Sequence, residues 1–307
     1  MSAHVIAVVG ATATGKSGLA IELARALRGE IVNADSMQLY QGMDIGTAKE
    51  PEAARQGVPH HLLDVWPVTQ TANVADYQKL ARAAIEEITA RGRVPILVGG
   101  SGLYVRAALD DLDFPGTDWV IRSRLEDELT RLGPAALHAR LAALDPAAAD
   151  AILPSNGRRI VRALEVIEIS GRPFSATMPA YRQNRPAVQI GLTLPRSELD
   201  RRIAARVDRM WQAGLEGEVR SLTAQSLREG RTASRALGYQ QLLRYLDGEW
   251  TLDEARRQTI KATRRFARRQ ESWFRRDPRV IWLDATKETL FTDASAMVTE
   301  GLPSPGS

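Results

Sequence analysis

Val5-Ile-Ala-Val-Val9, followed by Gly10-Ala-Thr-Ala-Thr-Gly15-Lys16-Ser17, decides how this chain is read. The first five residues are apolar and mostly β-branched. A short run of that kind ending in Gly predicts a strand buried on both faces. The next eight fit G-x-x-x-x-G-K-[ST]. Beyond them, Leu19, Ala20, Leu23, Ala24 and Leu27 recur at helical spacing. A Gly-rich turn between a strand and a helix presents backbone N–H groups and a helix N-terminus to an anion. Lys16 adds a flexible positive charge, and the Ser17 hydroxyl can ligate Mg²⁺. Gly10, Ala11, Thr12, Ala13, Thr14, Gly15, Lys16 and Ser17 are therefore the candidate phosphate-binding set, with Ser17 the candidate metal ligand and Mg²⁺ the expected cofactor. The motif does not name the phosphate. A diphosphate leaving group fits the cradle as well as the end of a nucleoside triphosphate does.

Working outward, Glu30-Ile-Val-Asn33 reads as a second strand, Tyr77 to Ala90 as a helix, and Val94-Pro-Ile-Leu-Val98 as a third strand entering Gly99-Gly100. Pro95 must lie near the start of its strand, where a missing donor costs least. Strands alternating with helices predict an α/β protein with a mainly parallel sheet. From about 115 to 186 the periodicity turns helical throughout, rich in Ala, Leu and Arg, with no convincing strand. Val188 to Leu194 resumes a β-type run, helices continue through Arg276, and Val280-Ile-Trp-Leu283 offers a last strand. The expected organisation is a core of 1–114 and 187–285 carrying a helical insertion of 115–186, with a tail of 286–307 that frays.

In a parallel sheet the ends of such strands gather at one ligand crevice. Asp35, in Asn33-Ala-Asp-Ser-Met-Gln-Leu-Tyr40, is thus expected to face the phosphate loop, either as a reactive carboxylate or as a helix cap. The third strand delivers Gly99-Gly100-Ser101-Gly102 to the same edge. Its glycines are expected to admit a ligand close to the backbone and Ser101 to add a hydroxyl, unless the segment is a plain loop.

The 307 residues carry 41 Lys plus Arg against 37 Asp plus Glu, a net charge of +4 that names no partner. Its distribution does. Arg256 to Arg279 holds ten basic residues, nine of them Arg, against Glu271 and Asp277, a local excess of +8 that leaves the rest at −4. A charge run is often a solvated face, but this density favours a phosphate-binding surface. As a helix, it places Arg257, Lys261, Arg264 and Arg268 on one stripe, with Ile260, Phe266, Ala267, Trp273 and Phe274 available to pack inward. Zero cysteines exclude disulfides, thiol nucleophiles and Cys-ligated zinc. No run approaches the ~18 apolar residues of a membrane span and no signal peptide is visible. A cytoplasmic protein is expected, and nothing demands more than a monomer.

Several stretches together resemble the tRNA dimethylallyltransferases, also called tRNA isopentenyltransferases: GATATGKS (10–17), NADSMQLYQGMDIGTAK (33–49), PHHLLDV (59–65), GGSGLYVRAAL (99–109), RVDRMWQAGL (206–215), ALGYQQ (236–241) and RRFARRQESWFRR (264–276). They span nearly the whole chain in order, and the long second block is the most diagnostic. The family usually has Thr where this chain has Ser101, which keeps the hydroxyl and loses a methyl.

The resemblance implies a phosphate-loop NTPase-like fold. It also implies transfer of a dimethylallyl group from dimethylallyl diphosphate to N6 of the adenosine 3′-adjacent to a tRNA anticodon. Asp35 is then the general base for the amine proton. Lys16, the loop N–H groups and Arg206 would stabilise the departing diphosphate, although Arg206 also reads as a solvated helix-surface arginine. Ser101 would orient the amine or a diphosphate oxygen. Contacts to the tRNA anticodon stem-loop are implied for Asp35, Ser36, Met37, Gln38, Ser101, Ser123, Arg159, Ile160, Val161, Arg162, Ala163, Gly238, Tyr239 (by stacking), Gln240, Arg264 and Arg268. A small-molecule kinase, an adenine-nucleotide prenyltransferase and a non-catalytic RNA-binding protein are the competing readings. All of these readings share the loop, and only the RNA-directed ones use the basic segment.

Overall fold

The computed structural model describes residues 4–177 and 181–301. They fall into two compact units, 110–184 and the remainder of the chain. The larger unit is built on six parallel strands: β1 (Val5–Gly10), β2 (Gly29–Asn33), β3 (His60–His61), β4 (Val94–Gly99), β5 (Ala187–Thr193) and β6 (Val280–Asp284), in spatial order β3-β2-β4-β1-β5-β6. β1 is flanked by β4, with Ile6 beside Ile96, and by β5, with Ile6 beside Val188. Every residue of β1 is buried, as its unbroken apolar run requires. Pro95 is the second residue of β4 and pairs with Glu30, at the strand start. The two-residue β3 was not legible, because a pair of histidines carries no periodicity.

Helix α1 (Lys16–Leu27) joins β1 to β2, α2 (Val74–Ala90) joins β3 to β4 and α3 (Gly102–Leu109) follows β4; α1 buries Leu19, Leu23 and Ala24 against Ile6, Val8, Ile96 and Ile190. Each such apolar side chain withdrawn from water stabilises the fold by roughly 1.5–3 kcal/mol before entropy is counted. The inserted unit holds α4 (Trp119–Leu144), α5 (Pro146–Ala151) and α6 (Gly157–Ser170) around Leu125, Leu137, Leu141, Ile160 and Leu164. Helix α4 kinks at Gly133, φ 78°, ahead of Pro134, because Pro removes a donor and crowds the preceding turn. No strand occurs among the described residues of that unit.

Returning to the larger unit, α7 (Arg196–Gln212), α8 (Leu215–Thr223), α9 (Tyr239–Leu246) and α10 (Leu252–Phe274) lead to β6. The expected fraying after 286 is corrected up to 301. Leu290–Gly301 forms α11, with Ala294 and Val298 fully buried on the α1 side of the sheet and Leu290 and Met297 packed against them. The spacing 290, 294, 297, 298 is an apolar helical stripe that the terminal Pro and Gly residues obscured. Pro303 to Ser307 lie outside the described residues.

Candidate active site

The exits of β1, β2 and β4 converge on one cavity of about 650 Å³, lined by Thr12, Lys16, Ser17, Asp35, Gln38 and Arg206 among others. A neighbouring cavity of about 410 Å³ shares Lys16, Ser17 and Arg206 and adds Ala13, Gly15 and Arg202. Within the loop, Gly10 has φ 135°, and a Cβ there would lie 2.7 Å from the Leu192 carbonyl oxygen. Ala13 and Gly15 also adopt positive φ, 65° and 94°, turning the chain into the N-terminus of α1. The Thr14 hydroxyl and the Lys16 ammonium both donate to the Ala11 carbonyl, at 2.9 and 2.6 Å. Ala11 and Thr14 are buried. The eight motif residues therefore divide: Gly10, Ala11 and Thr14 build the loop, while Thr12, Ala13, Gly15, Lys16 and Ser17 reach the cavities.

Burial pushes the Lys16 ammonium down to about 7, the nearby Arg206 guanidinium adds to this, and the Asp35 carboxylate opposes it. Arg206 is likewise lowered by burial, with Asp35 again opposing. Two cations crowded into a poorly solvated pocket with one carboxylate form a site short of negative charge. Arg206 projects from α7 and donates to the Thr47 carbonyl at 3.3 Å, so it is not the solvated surface arginine that sequence left open.

Asp35 is half-buried and does not cap a helix; one carboxylate oxygen accepts from the Met37 N–H at 2.9 Å, closing a turn. Asn33 shapes that turn. Its amide oxygen accepts from the Asp35 N–H at 2.8 Å, and its amide nitrogen donates to the Asp35 and Leu62 carbonyls, both at 3.0 Å. Tyr77 donates to the Asn33 carbonyl at 2.9 Å. The Ser36 N–H reaches the Ser101 hydroxyl oxygen at 3.3 Å, so the β2 and β4 exits meet where sequence placed them. The glycines after β4 serve a further purpose besides the one expected. A Cβ on Gly99 would lie 2.2 Å from the Ala34 carbonyl oxygen, on Gly100 2.2 Å from Gln270, and on Gly102 2.0 Å from Trp273. They make room for neighbouring protein, including α10, while Gly99 and Gly100 also line the larger cavity, as expected.

The segment 44–49 forms another wall of the larger cavity. Glu218 accepts from the N–H groups of Asp44, Ile45 and Gly46 at 3.0, 2.7 and 3.2 Å. Buried Lys49 donates to the Tyr40 carbonyl and to Asp44 and pairs with Asp64. Gln38 donates to the carbonyls of Thr47 and Ala48. Ile45, Ala48, Met210 and Ala213 give this cavity apolar lining besides its charged residues.

For Mg²⁺, the residues present fit a sparse site. The Ser17 hydroxyl lines both cavities and makes no hydrogen bond to a described residue. No group of three or more His, Cys, Asp or Glu among the described residues is placed to hold a metal. Mg²⁺ commonly keeps several waters and takes substrate phosphate oxygens with one or two protein ligands, which one hydroxyl in a phosphate cradle accommodates.

A family model for IPP transferases matches residues 38–277. The chain belongs to that family. It is 68% identical over 301 residues to a tRNA dimethylallyltransferase of Thermobifida fusca, covering 96% of this chain and 94% of that one. It is 70% identical over 280 residues to one of Streptomyces coelicolor, with 91% and 90% covered. Among solved structures it resembles a tRNA isopentenylpyrophosphate transferase of Bacillus halodurans, 39% identical, TM-score 0.72, 97% of each chain covered. A eukaryotic dimethylallyltransferase described as acting on tRNA is 26% identical, TM-score 0.82, covering 97% of this chain and 78% of that one. These neighbours support the phosphate-loop parallel-sheet fold read from the first seventeen residues.

Set against this IPP transferase membership, the residues expected at tRNA divide by exposure. Asp35 and Gln38 are half-exposed and line the crevice, Ser36, Met37 and Ser101 are half-exposed, and Gln240, Ser123 and Arg159 are exposed. Ile160, Val161 and Ala163 are corrected: their side chains are buried in the core of the inserted unit and are not available for side-chain contacts. Arg162 donates to the Pro115 and Gly116 carbonyls and to Glu165, holding the start of its own unit. Tyr239 is also corrected. It is fully buried, donates its hydroxyl to Glu218, and its ring occupies the space beside Gly46. It thus cannot stack on a base. Gly238, φ 88°, precedes α9 with its N–H donated to Gln241.

On α10, Ala267 and Phe274 are buried as expected. Ile260 instead lines a cavity of about 490 Å³ together with Arg257, Lys261, Arg264 and Arg268. Arg264 is half-buried and donates to the Asp200 carbonyl at 3.3 Å, whereas Arg268 is exposed. Sequence reasoning missed Asn33, Lys49, Glu218 and Gln270. Only Gln270 left a signal, as the one neutral amide within the arginine-dense stretch 264–276.

Proposed function

We propose that this chain transfers a dimethylallyl group from dimethylallyl diphosphate to N6 of the adenosine 3′-adjacent to the anticodon of tRNA, releasing diphosphate. The observation that carries the reading is the juxtaposition, in one crevice, of the phosphate loop with Lys16 and Arg206, the Asp35 carboxylate, and apolar lining from Ile45, Ala48, Met210 and Ala213. A diphosphate ester of a short hydrocarbon fits both kinds of wall, the cations meeting its diphosphate and the apolar residues its chain.

The adenine amine is a weak nucleophile because its lone pair is delocalised into the ring. As its nitrogen bonds to C1 of the prenyl group, the C1–O bond to diphosphate breaks and the amine must lose a proton. Asp35 takes that proton; its hydrogen bond to Met37 and the Asn33 turn hold the carboxylate in place. Negative charge developing on the diphosphate meets Lys16, Arg206 and the N–H groups of Ala13 to Ser17. Mg²⁺ held by Ser17 would supply further neutralisation of the diphosphate when bound. Ser101, joined to Ser36, orients the amine beside Asp35.

An anticodon-loop base must leave its stack to enter such a crevice. Exposed cations on α10 offer backbone contacts for the RNA that remains outside. The reading is tested by incubating the protein with labelled dimethylallyl diphosphate and either tRNA or AMP, with and without Mg²⁺. Label is expected in tRNA alone and only with Mg²⁺. Label in AMP, or in neither acceptor, contradicts the reading.

A further inference from the structure

Gln270 lies on α10 between Arg269 and Glu271, yet its side chain points inward and is only 5% exposed. Its amide oxygen accepts from the N–H of Thr12, in the phosphate loop, at 2.9 Å. Its amide nitrogen donates to the carbonyl of Gly100, just past β4, at 2.9 Å. Gly100 has no room for a side chain because this amide occupies the space. Gln270 therefore closes a link between two strand exits that border the crevice, from the helix whose outer face carries Lys261 and Arg268.

We propose that Gln270 is a positioning residue for the diphosphate cradle. This rests on the reading that the loop receives the donor's diphosphate. The chemistry demands an amide: one end must accept from an N–H while the other donates to a carbonyl, so a carboxylate satisfies one partner and a thioether neither. Because the Thr12 N–H is committed to Gln270, the N–H groups from Ala13 onward are the ones left for the anion. Ala13 holds a left-handed φ of 65°, a conformation that persists only where its surroundings enforce it. Gln270 supplies part of that enforcement one residue away. The diphosphate is thereby met by a loop already in its binding shape, which reduces the ordering cost of binding.

The test uses the full chain with Gln270→Met, close in size but unable to make either bond, and measures three properties. These are the affinity for inorganic diphosphate with Mg²⁺, the affinity for an anticodon stem-loop RNA, and hydrogen exchange at the Thr12 amide. Gln270→Met is expected to weaken diphosphate binding by about tenfold and to speed Thr12 exchange. RNA affinity should change by less than about twofold. In turnover, KM for the prenyl donor rises while KM for tRNA is held. Equal diphosphate affinity in the folded variant and the wild type overturns the proposal and leaves the wider reading intact. Failure of the wild type itself to bind diphosphate removes that reading and the proposal together. Equal loss for diphosphate and RNA also overturns it, since that marks general loosening. Should Gln270→Met not fold, Gln270→Glu decides by the same measurements, because it keeps an acceptor for Thr12 but cannot, when ionised, donate to Gly100. Weakened diphosphate binding supports the proposal and unchanged binding contradicts it.

Discussion

The inserted unit and helix α10 both carry dense arginine, and they use it in opposite ways. In the inserted unit, Arg122 and Arg162 converge on Glu165, which is 0% exposed, while Arg124 and Arg140 are bridged by Glu128 and Glu168. On and just after α10, Lys261, Arg265, Arg268, Arg269 and Arg276 have no ion-pair partner among the described residues, although Arg269 lies over the Phe266 ring. Arg256, Arg257, Arg275 and Arg279 of the same segment are paired with acids. The +8 counted from sequence thus overstates the free charge. A guanidinium opposite a buried carboxylate is part of the fold, whereas one left facing water is available to an external anion.

That contrast breaks first at Glu165. Burial alone would raise its carboxyl, but the Arg122 and Arg162 guanidiniums hold it below the usual glutamate range. Removing the acid while leaving two arginines behind should cost the inserted unit about 3–5 kcal/mol. Glu165→Ala is expected to lower the thermal midpoint markedly, and unchanged melting would show the pairs to be incidental. Since the folded-state pKa is depressed, the contribution is present above the ordinary glutamate range and disappears as pH falls through the folded value.

A smaller change is expected on the opposite surface. Lys261→Ala with Arg268→Ala should weaken tRNA binding by about tenfold at low salt and flatten the slope of log affinity against log salt by about 2. Melting and donor affinity should hold. Equal weakening toward donor and tRNA would remove α10 from the RNA surface. Arg264 is a poorer probe than sequence suggested, because it also ties α10 to Asp200 of α7.

The smallest effect concerns the cradle cation. With Lys16 pushed down to about 7, diphosphate binding should take up a proton and weaken as pH rises from about 7 to about 9. Lys16→Arg stays charged throughout that range, so its binding should lack this part of the pH dependence. The difference between the two slopes separates Lys16 from the titration of diphosphate itself; parallel slopes would contradict the shift.

Much of the architecture was legible because local pattern and global fold agree. The β1 run, the loop and the α1 periodicity are contiguous, and each prescribes its own backbone. Asp35 and Ser101 were placed correctly because strand exits in a parallel sheet share one edge. The 44–49 wall was not legible. It is held by Glu218, 173 residues from Ile45 in the chain, and by Tyr239, whose ring fills the space that Gly46 vacates. A glutamate on an amphipathic helix looks like any solvated carboxylate until the fold brings three backbone N–H groups to it. Tyr239, Ile160, Val161 and Ala163 were misread for the related reason that a motif does not reveal which of its side chains turn inward. The glycines after β4 gave the same ambiguity, since close approach by a ligand and by a helix leave one signature.

In the proposed reaction Asp35 is the proton acceptor in a crevice that binds both substrates. Single-turnover transfer of label from dimethylallyl diphosphate to tRNA, measured for Asp35→Asn beside the wild type, tests it most directly. The expected result is a rate about a thousandfold lower, with affinities for tRNA and donor within about threefold of wild type. A transfer rate within about tenfold of wild type would contradict the role assigned to Asp35.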